Sequence, residues 1–221
     1  MKQITFQDIK NNEEIKTYIA KADEVLSQLG YTEHSFAHVT RCAVYARDIL
    51  LALGYEKRMA ELAEIAGYMH DIGNLTNRVD HPQSGAVMAF RILDHMEMPP
   101  EEIATIITAI GNHDEGTAVP VNAVAAALIL ADKTDVRRSR VRNRDMLTFD
   151  IHDRVNYAVE NSRLQIDPQG KLLIFHLTID TKICPVMEYF EIFMDRMVLC
   201  RKAAQTLGLQ FELLINGTRL L

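Results

Sequence analysis

The chain lacks any apolar run of the roughly 18 residues or more that a membrane-spanning helix requires. Its opening stretch, Met1 to Glu14, turns polar and acidic at once, so no secretory leader is expected. Cysteine is scarce. Cys42, Cys184 and Cys200 are the 3 in 221 residues, too few and too scattered for a disulfide framework or a cysteine-based zinc site. That excludes the small disulfide-stapled class and predicts a cytoplasmic protein. Positive charge is not in excess either. The 24 Lys and Arg against 30 Asp and Glu give a net charge of −6, which argues against general nucleic-acid binding. Bound divalent cations would add charge that this formal count omits. Repeats and low-complexity linkers are absent. What remains is ordinary globular composition, 48% hydrophobic and 24% charged. The length suits one large domain, or one domain with a small extension, around a sizeable core.

Residues 1–150 read as helix after helix. Ile15, Ile19, Ala22 and Leu26 recur at helical spacing within 11–29, and Gly30 suits the stop. Further helices are expected over 35–53, 56–72, 82–96, 100–112 and 121 to about 142, with prolines at 82, 99, 100 and 120 near their entries. Residues 151–221 change period. Leu164 and Ile166 alternate with polar neighbours, Asp167-Pro168-Gln169-Gly170 has type I turn chemistry, and Leu173 to Ile179 alternate again. Leu209 to Ile215 form a third alternating run. Between the last two lies a helix opening at Pro185, with Val186, Phe190, Phe193, Met197, Cys200, Ala204 and Leu207 along one seam. That seam either covers the sheet or forms a homodimer contact. The expected architecture is mainly α: a helical bundle over 1–150 carrying an α+β extension, 151–221, of three antiparallel strands and one long helix.

Three His-Asp dipeptides occur, His70-Asp71, His113-Asp114 and His152-Asp153, and context must separate them. In GYMHDIGN, His70 and Asp71 end an apolar helix, where an imidazole beside a carboxylate is expensive to bury without a partner. A cation supplies one. His38 sits in a helix of small and apolar residues, His81 opens another, His113 closes one in AIGNH, and Asp132 follows the apolar stretch AVAAALILA. Six imidazoles and carboxylates therefore fall on interior faces or helix ends.

The order His, His-Asp, His, His, Asp from about Tyr31 to Arg144 resembles the HD-domain metal-dependent phosphohydrolases, with HDIG as the name-giving motif. HPxxGA at His81 and AIxxH at His113 resemble the two-metal subset, which includes the HD-type dinucleoside-tetraphosphate hydrolases and the HD-GYP phosphodiesterases. Asn74 after HDIG, Asn112-His113 in place of paired histidines, and the absent GYP signature depart from the cyclic-dinucleotide enzymes. The resemblance implies an HD-type helical bundle in which His38, His70, Asp71 and Asp132 hold one metal, while Asp71 bridges to a second held by His81 and His113. Four nitrogens and two carboxylates suit two divalent transition metals, Fe or Mn first and Co, Ni or Zn also, better than Mg. It further implies hydrolysis of a phosphoester or phosphoanhydride, of a nucleotide or dinucleotide, by a metal-activated water. The same ligand order also serves mixed-valent diiron oxygenases, and HD relatives that have lost ligands act as non-catalytic regulatory modules.

Around these six, His34 lies four residues before His38, on the same face if the helix begins early enough, as a substrate or supporting group. Arg78, between Asp71 and His81, is a candidate for the phosphoryl group. Glu33 is a candidate to orient water or to cap a helix. Asp114 and Glu115 either support a ligand imidazole or are solvated loop charges. Lys133, Arg137, Arg138, Arg140, Arg142 and Arg144 form the strongest basic cluster, and arginine forks grip phosphates well. One helix cannot aim six side chains at one point, so Lys133 and Arg137 are the two expected to face the phosphorylated small molecule.

Overall fold

The computed structural model describes residues 3–220. Nine α-helices and a four-stranded sheet form among them. The first two helices are set by their caps. Thr5 and Asp8 make a reciprocal capping box for α1, Phe6–Asn11, and the Asn12 side chain accepts from Ile15 N at the head of α2, Glu13–Gln28. Alpha 2 buries Ile15, Ile19, Ala22 and Leu26, the four positions its periodicity selects. Ser35 caps α3, Phe36–Ala52, which turns His38, Val39, Cys42, Ala43 and Ala46 inward against α4, Lys57–Met69. Helices α5, His81–His95, and α6, Pro100–Gly111, pair with each other, and both enter through a proline in the first turn. In α7, Ala123–Lys133, every residue from Val124 to Lys133 is buried. A helix apolar on all sides belongs at the centre of a bundle, and α3, α4 and α6 surround it.

Alpha 7 ends well short of the expected residue 142. Its last turn tightens as Thr134 Oγ1 donates to Leu130 O at 2.6 Å. The arginines beyond are drawn off one by one: Arg137 to Asp135 and Glu33, Arg138 to the Tyr157 carbonyl, Arg142 to Asp23. No glycine or proline marks this stop in the sequence. Periodicity alone therefore overran it.

The C-terminal part begins with α8, Ile151–Ala158, capped by Asp150. It continues through β1, Val159–Asp167, β2, Leu172–Ile179, α9, Val186–Thr206, β3, Gln210–Ile215, and β4, Thr218–Arg219. The sheet order is β1-β2-β3-β4. Strands β1 and β2 pair antiparallel, with Leu164 opposite Phe175, and β3 and β4 do likewise. Strands β2 and β3 are parallel, with Phe175 opposite Leu213. This corrects the expectation of three antiparallel strands. Alpha 9 carries the chain back along the sheet, as any parallel pair requires. The short β4, α1 and α8 were also not anticipated. Phe193, Met197, Cys200 and Ala204 of the predicted α9 seam are buried, packing on α7 as well as on β3. One buried apolar cluster consequently runs from Ile4 in the bundle to Ile215 in the sheet.

Candidate functional site

The local sequence places each of the six expected residues where backbone direction changes. His38 is in the first turn of α3, and His70 is the residue that caps the end of α4. Asp71 begins a 3-10 turn over Ile72–Leu75, and His81 is the first residue of α5. His113 follows the end of α6, and Asp132 is the penultimate residue of α7, not its middle. Gly73 permits the tight approach of two of these segments. A Cβ there would overlap the His81 carbonyl oxygen and the Gly85 amide nitrogen, both backbone atoms. A side chain at 73 would push the start of α5, and His81 with it, away from Asp71.

The structure brings all six together. His38 Nε2 lies 3.5 Å from Asp71 Oδ2 and 3.3 Å from Asp132 Oδ1. His70 Nε2 lies 3.2 Å and 3.7 Å from the same two oxygens. The other oxygen of Asp71, Oδ1, faces His81 Nε2 at 3.7 Å and His113 Nε2 at 4.0 Å. One carboxylate thus presents a separate oxygen to each pair of imidazoles. These atoms approach one another without hydrogen-bond alignment, and His70 Nε2 and Asp71 Oδ2 are buried with no hydrogen-bond partner. Buried polar atoms rarely stay unpaired. Aimed at shared points, they fit cations.

The outer nitrogen of each ring fixes its orientation. His38 Nδ1–H donates to Asp135 Oδ2 at 2.8 Å. His70, His81 and His113 donate Nδ1–H to the carbonyls of Gly67, Arg78 and Ile110 at 2.8, 3.0 and 2.6 Å. Each Nε2 is thereby left free to act as a ligand atom, the arrangement of metal-binding histidines. Burial holds His113 well below the usual histidine range, with His70 and Lys133 adding to it, and burial and Arg78 lower His81 despite Asp71. Both rings are neutral near pH 7. Their bare Nε2 atoms nevertheless face each other at 3.2 Å. Two lone pairs at that distance repel, and Arg78 Nη1, 3.2 Å from His81 Nε2, can answer one of them. A cation between them answers both. His70 behaves oppositely. Burial disfavours its charged form, but the Asp71 and Asp132 carboxylates outweigh that and push it up to about 10.

Cys42 completes a second way of grouping these atoms. Cys42, His38, His70 and Asp132 each offer a ligand atom within 4.8 Å of the others, as do His70, Asp71 and His113. The sulfur sits 3.7 Å from both nitrogens of His38. Such equal distances put it beside the ring, not at the tip of Nε2.

Above the cluster opens a cavity of about 400 Å³, within the range of small-molecule sites. Asp71, His81, His113 and Asp132 reach it from below. His34, Arg78, Asp114 and Lys133, all named from sequence, line it. His34 precedes the Ser35 cap, outside the helix, and its ring stands edge-on to His38 at 5.4 Å. Burial, with Arg140 nearby, holds it well below its ordinary value, and Nδ1–H donates to Thr32 O at 2.7 Å. Asp114 pairs with Arg78 at 3.7 Å and Lys133 at 3.3 Å. Arg137 is not brought to the cavity: Asp135 and Glu33 hold its guanidinium to the side at 2.9 and 3.1 Å. Glu33 is occupied with that arginine and with Ser35.

Three contributors escaped the sequence reading. Asp135 was not among the expected site residues, yet it is buried behind His38. Its spacing of three from Asp132 was the available signal. Arg140 is buried, donating to the Glu33 and Asp135 carbonyls, and lines the cavity. The remaining wall comes from α8 and α9. Asp150, His152, Asp153 and Asn156 line it from one side, Phe193 and Arg196 from α9; the His152-Asp153 pair is visible in the sequence, but no local pattern placed any of the six at the site.

The family profile described as HD domain matches residues 35–140. Among curated proteins, "Uncharacterized protein MJ1020" of Methanocaldococcus jannaschii is 23% identical over 162 residues, 63% of this chain and 62% of that protein. The chain therefore aligns with less than two thirds of that relative's length. A crystal structure described as a predicted HD superfamily hydrolase, from an uncultured Thermotogales bacterium, aligns at 24% identity and a TM-score of 0.44 over 56% of this chain and 67% of that one. Among the described residues no helix is long and apolar enough to cross a membrane.

Proposed function

Because residues 35–140 match the HD domain family profile, we propose that the protein is a metal-dependent phosphohydrolase cleaving a phosphoester or phosphoanhydride of a nucleotide or dinucleotide. The observation that carries this reading is the convergence of four imidazole Nε2 atoms on the two oxygens of Asp71, with His70 Nε2 and Asp71 Oδ2 unpartnered. On this reading His38, His70, Asp71 and Asp132 hold one transition metal, and Asp71, His81 and His113 a second. Iron or manganese suits this mixed nitrogen and oxygen set, as do cobalt, nickel and zinc. Bound there, two cations lower the pKa of a water and neutralise charge on phosphoryl oxygens.

The protein's own groups do the rest. Lys133 Nζ, 2.8 Å from Asp132 Oδ2, turns the other oxygen of that carboxylate toward His38 and His70. His34, neutral with Nδ1–H committed to Thr32, accepts a proton at Nε2. Arg78, tethered through Asn74 and Asp114, pairs with a phosphoryl oxygen at the mouth of the cluster.

The deciding experiment is a screen of metal-reconstituted protein against nucleotides, dinucleotides and phosphomonoesters under nitrogen. Release of phosphate or a shortened nucleotide without oxygen present is the expected result. No phosphorus bond cleaved under nitrogen, with oxygen consumed and every phosphorus bond still intact in a parallel aerobic arm, would overturn it in favour of the diiron oxygenase.

A further inference from the structure

The lysine expected from sequence to face the substrate is not the side chain best placed to meet a ligand. Lys133 has three N–H bonds and three carboxylates around it: Asp132 at 2.8 Å, Glu115 at 3.0 Å and Asp114 at 3.3 Å. Its side chain is 5% exposed. Nothing on it remains to donate. Arg196, three residues after Phe193 on one face of α9, is in the opposite condition. Its Nε pairs with Glu115 Oε1. Among the described residues no protein acceptor stands in hydrogen-bond geometry to its two terminal amino groups. The guanidinium lies 4.4 Å from the centroid of Phe193. Stacking occupies the face of that plane and leaves its N–H edge free. The side chain is 26% exposed and lines the cavity beside His113 and Asp132.

We propose that Arg196 is a substrate-binding residue that takes the non-bridging oxygens of a substrate phosphate, so that the C-terminal α+β part completes the site. This rests on the phosphohydrolase reading for the class of ligand. It adds that recognition is divided: the bundle supplies the cluster that holds the reacting phosphorus, and α9 supplies the fork that grips the oxyanion. Phe193 holds the fork from behind, while Glu115, paired with its Nε, competes with phosphate for the same charge. A planar fork matches two phosphate oxygens, which a lysine at this position would not.

The test is titration calorimetry of inorganic phosphate onto the full-length, manganese-reconstituted protein at low salt, alongside KM and kcat on any substrate found by the screen. Arg196→Gln should weaken phosphate at least about tenfold and raise KM more than it lowers kcat, with metal content unchanged. Arg196→Lys should recover only part of the loss. Glu115→Gln, which frees the fork from its competitor, should bind phosphate as well as wild type or better. If Arg196 were merely a brace for the loop after His113, Glu115→Gln would lose as much as Arg196→Gln, and that result overturns the proposal. So does binding within twofold of wild type in both Arg196 variants, or no phosphate binding by wild type. Should Arg196→Gln fail to fold, the lysine and Glu115 variants still decide. Turnover with Arg196-independent phosphate binding refutes the assignment and leaves the hydrolase standing. Arg196-dependent binding with no turnover of any phosphoester does the reverse.

Discussion

Replacing Asp135 by Asn tests whether a residue that offers no atom to the metal sets the affinity of the cluster. Asp135 is 1% exposed and accepts from His38 Nδ1 at 2.8 Å. Around the same carboxylate stand Arg41 at 3.0 Å, Arg137 at 2.9 Å and Arg140 at 3.8 Å. Asparagine keeps the shape and one acceptor oxygen but removes the charge. Loss of an outer partner of a ligand histidine costs about 10–100-fold in metal affinity, or about 1.4–2.8 kcal/mol. The arginines lose their common anion as well. At about 1.5–3 kcal/mol for a charge-assisted hydrogen bond, the metal-free protein should lose about 2–3 kcal/mol. For a chain of this size that is a fall in Tm of about 4–12 °C. Burial opposes ionisation of Asp135, but the His38 hydrogen bond and the Arg140, His38 and Arg137 charges outweigh it and hold the carboxyl well below its ordinary range. A depressed carboxyl stabilises the fold above its unfolded pKa, near about 3.9, and that stability fades as pH falls. The gap in Tm between wild type and variant should therefore narrow on acidification. Affinity is measured by competition with a chelating dye, and Tm by circular dichroism. Wild-type affinity together with a lowered Tm would show that Asp135 gathers arginines and nothing more. Wild-type values for both would refute the geometric argument altogether.

Other outcomes follow from the same distances. His70 is pushed up to about 10 in the metal-free state. Its contribution to stability is thus complete below the unfolded value of about 6.5 and lost as pH rises through about 10. Metal-free protein should melt progressively lower from pH 7 to 10. Metal uptake at pH 7 should release protons, read as a dependence of the calorimetric enthalpy on buffer ionisation; no such dependence would remove His70 from the ligands. Gly73→Ala should shed about one of two metal equivalents, because its Cβ displaces the start of α5, and elemental analysis showing both retained would contradict that. Asp71→Ala should abolish activity and loosen both metals, since its two oxygens face different imidazole pairs. Asp153→Ala, at the cavity wall, should leave metal content intact; equal metal loss in the two variants would mean the wrong His-Asp pair was chosen.

The helices of the bundle were readable because apolar residues recur at helical spacing and because prolines and caps bound them. The six clustered residues were readable for a different reason: they stand at helix ends and on an interior face, where a titratable group has no other business. Sequence failed where the cause was not local. Asp135, Arg140 and Arg196 reach the site through tertiary neighbours, and Arg196 belongs to a helix whose apolar seam said only that it was buried. Lys133 and Arg137 looked alike in one dimension and differ in three, by which acids surround each. Strand direction is likewise absent from an alternating pattern. Two signals were available and unused. A 21-residue helix between two strands is a crossover, which implies parallel neighbours. Asn216-Gly217, both with positive φ, is a hairpin turn that announces β4.

The crossover also orders events in time. Strand β3 can join β2 only after the whole of α9 has been laid down, and the loop it closes must be ordered before any ladder bond rewards it. The four imidazoles and both aspartates, by contrast, all precede residue 133, and two of the helix pairs that carry them, α3 with α4 and α5 with α6, are neighbours in the chain. A nascent or partly denatured molecule can therefore possess its cradle while still lacking the wall that carries Arg196. Slow docking of the last strands would separate the recovery of metal affinity from the recovery of selectivity during refolding.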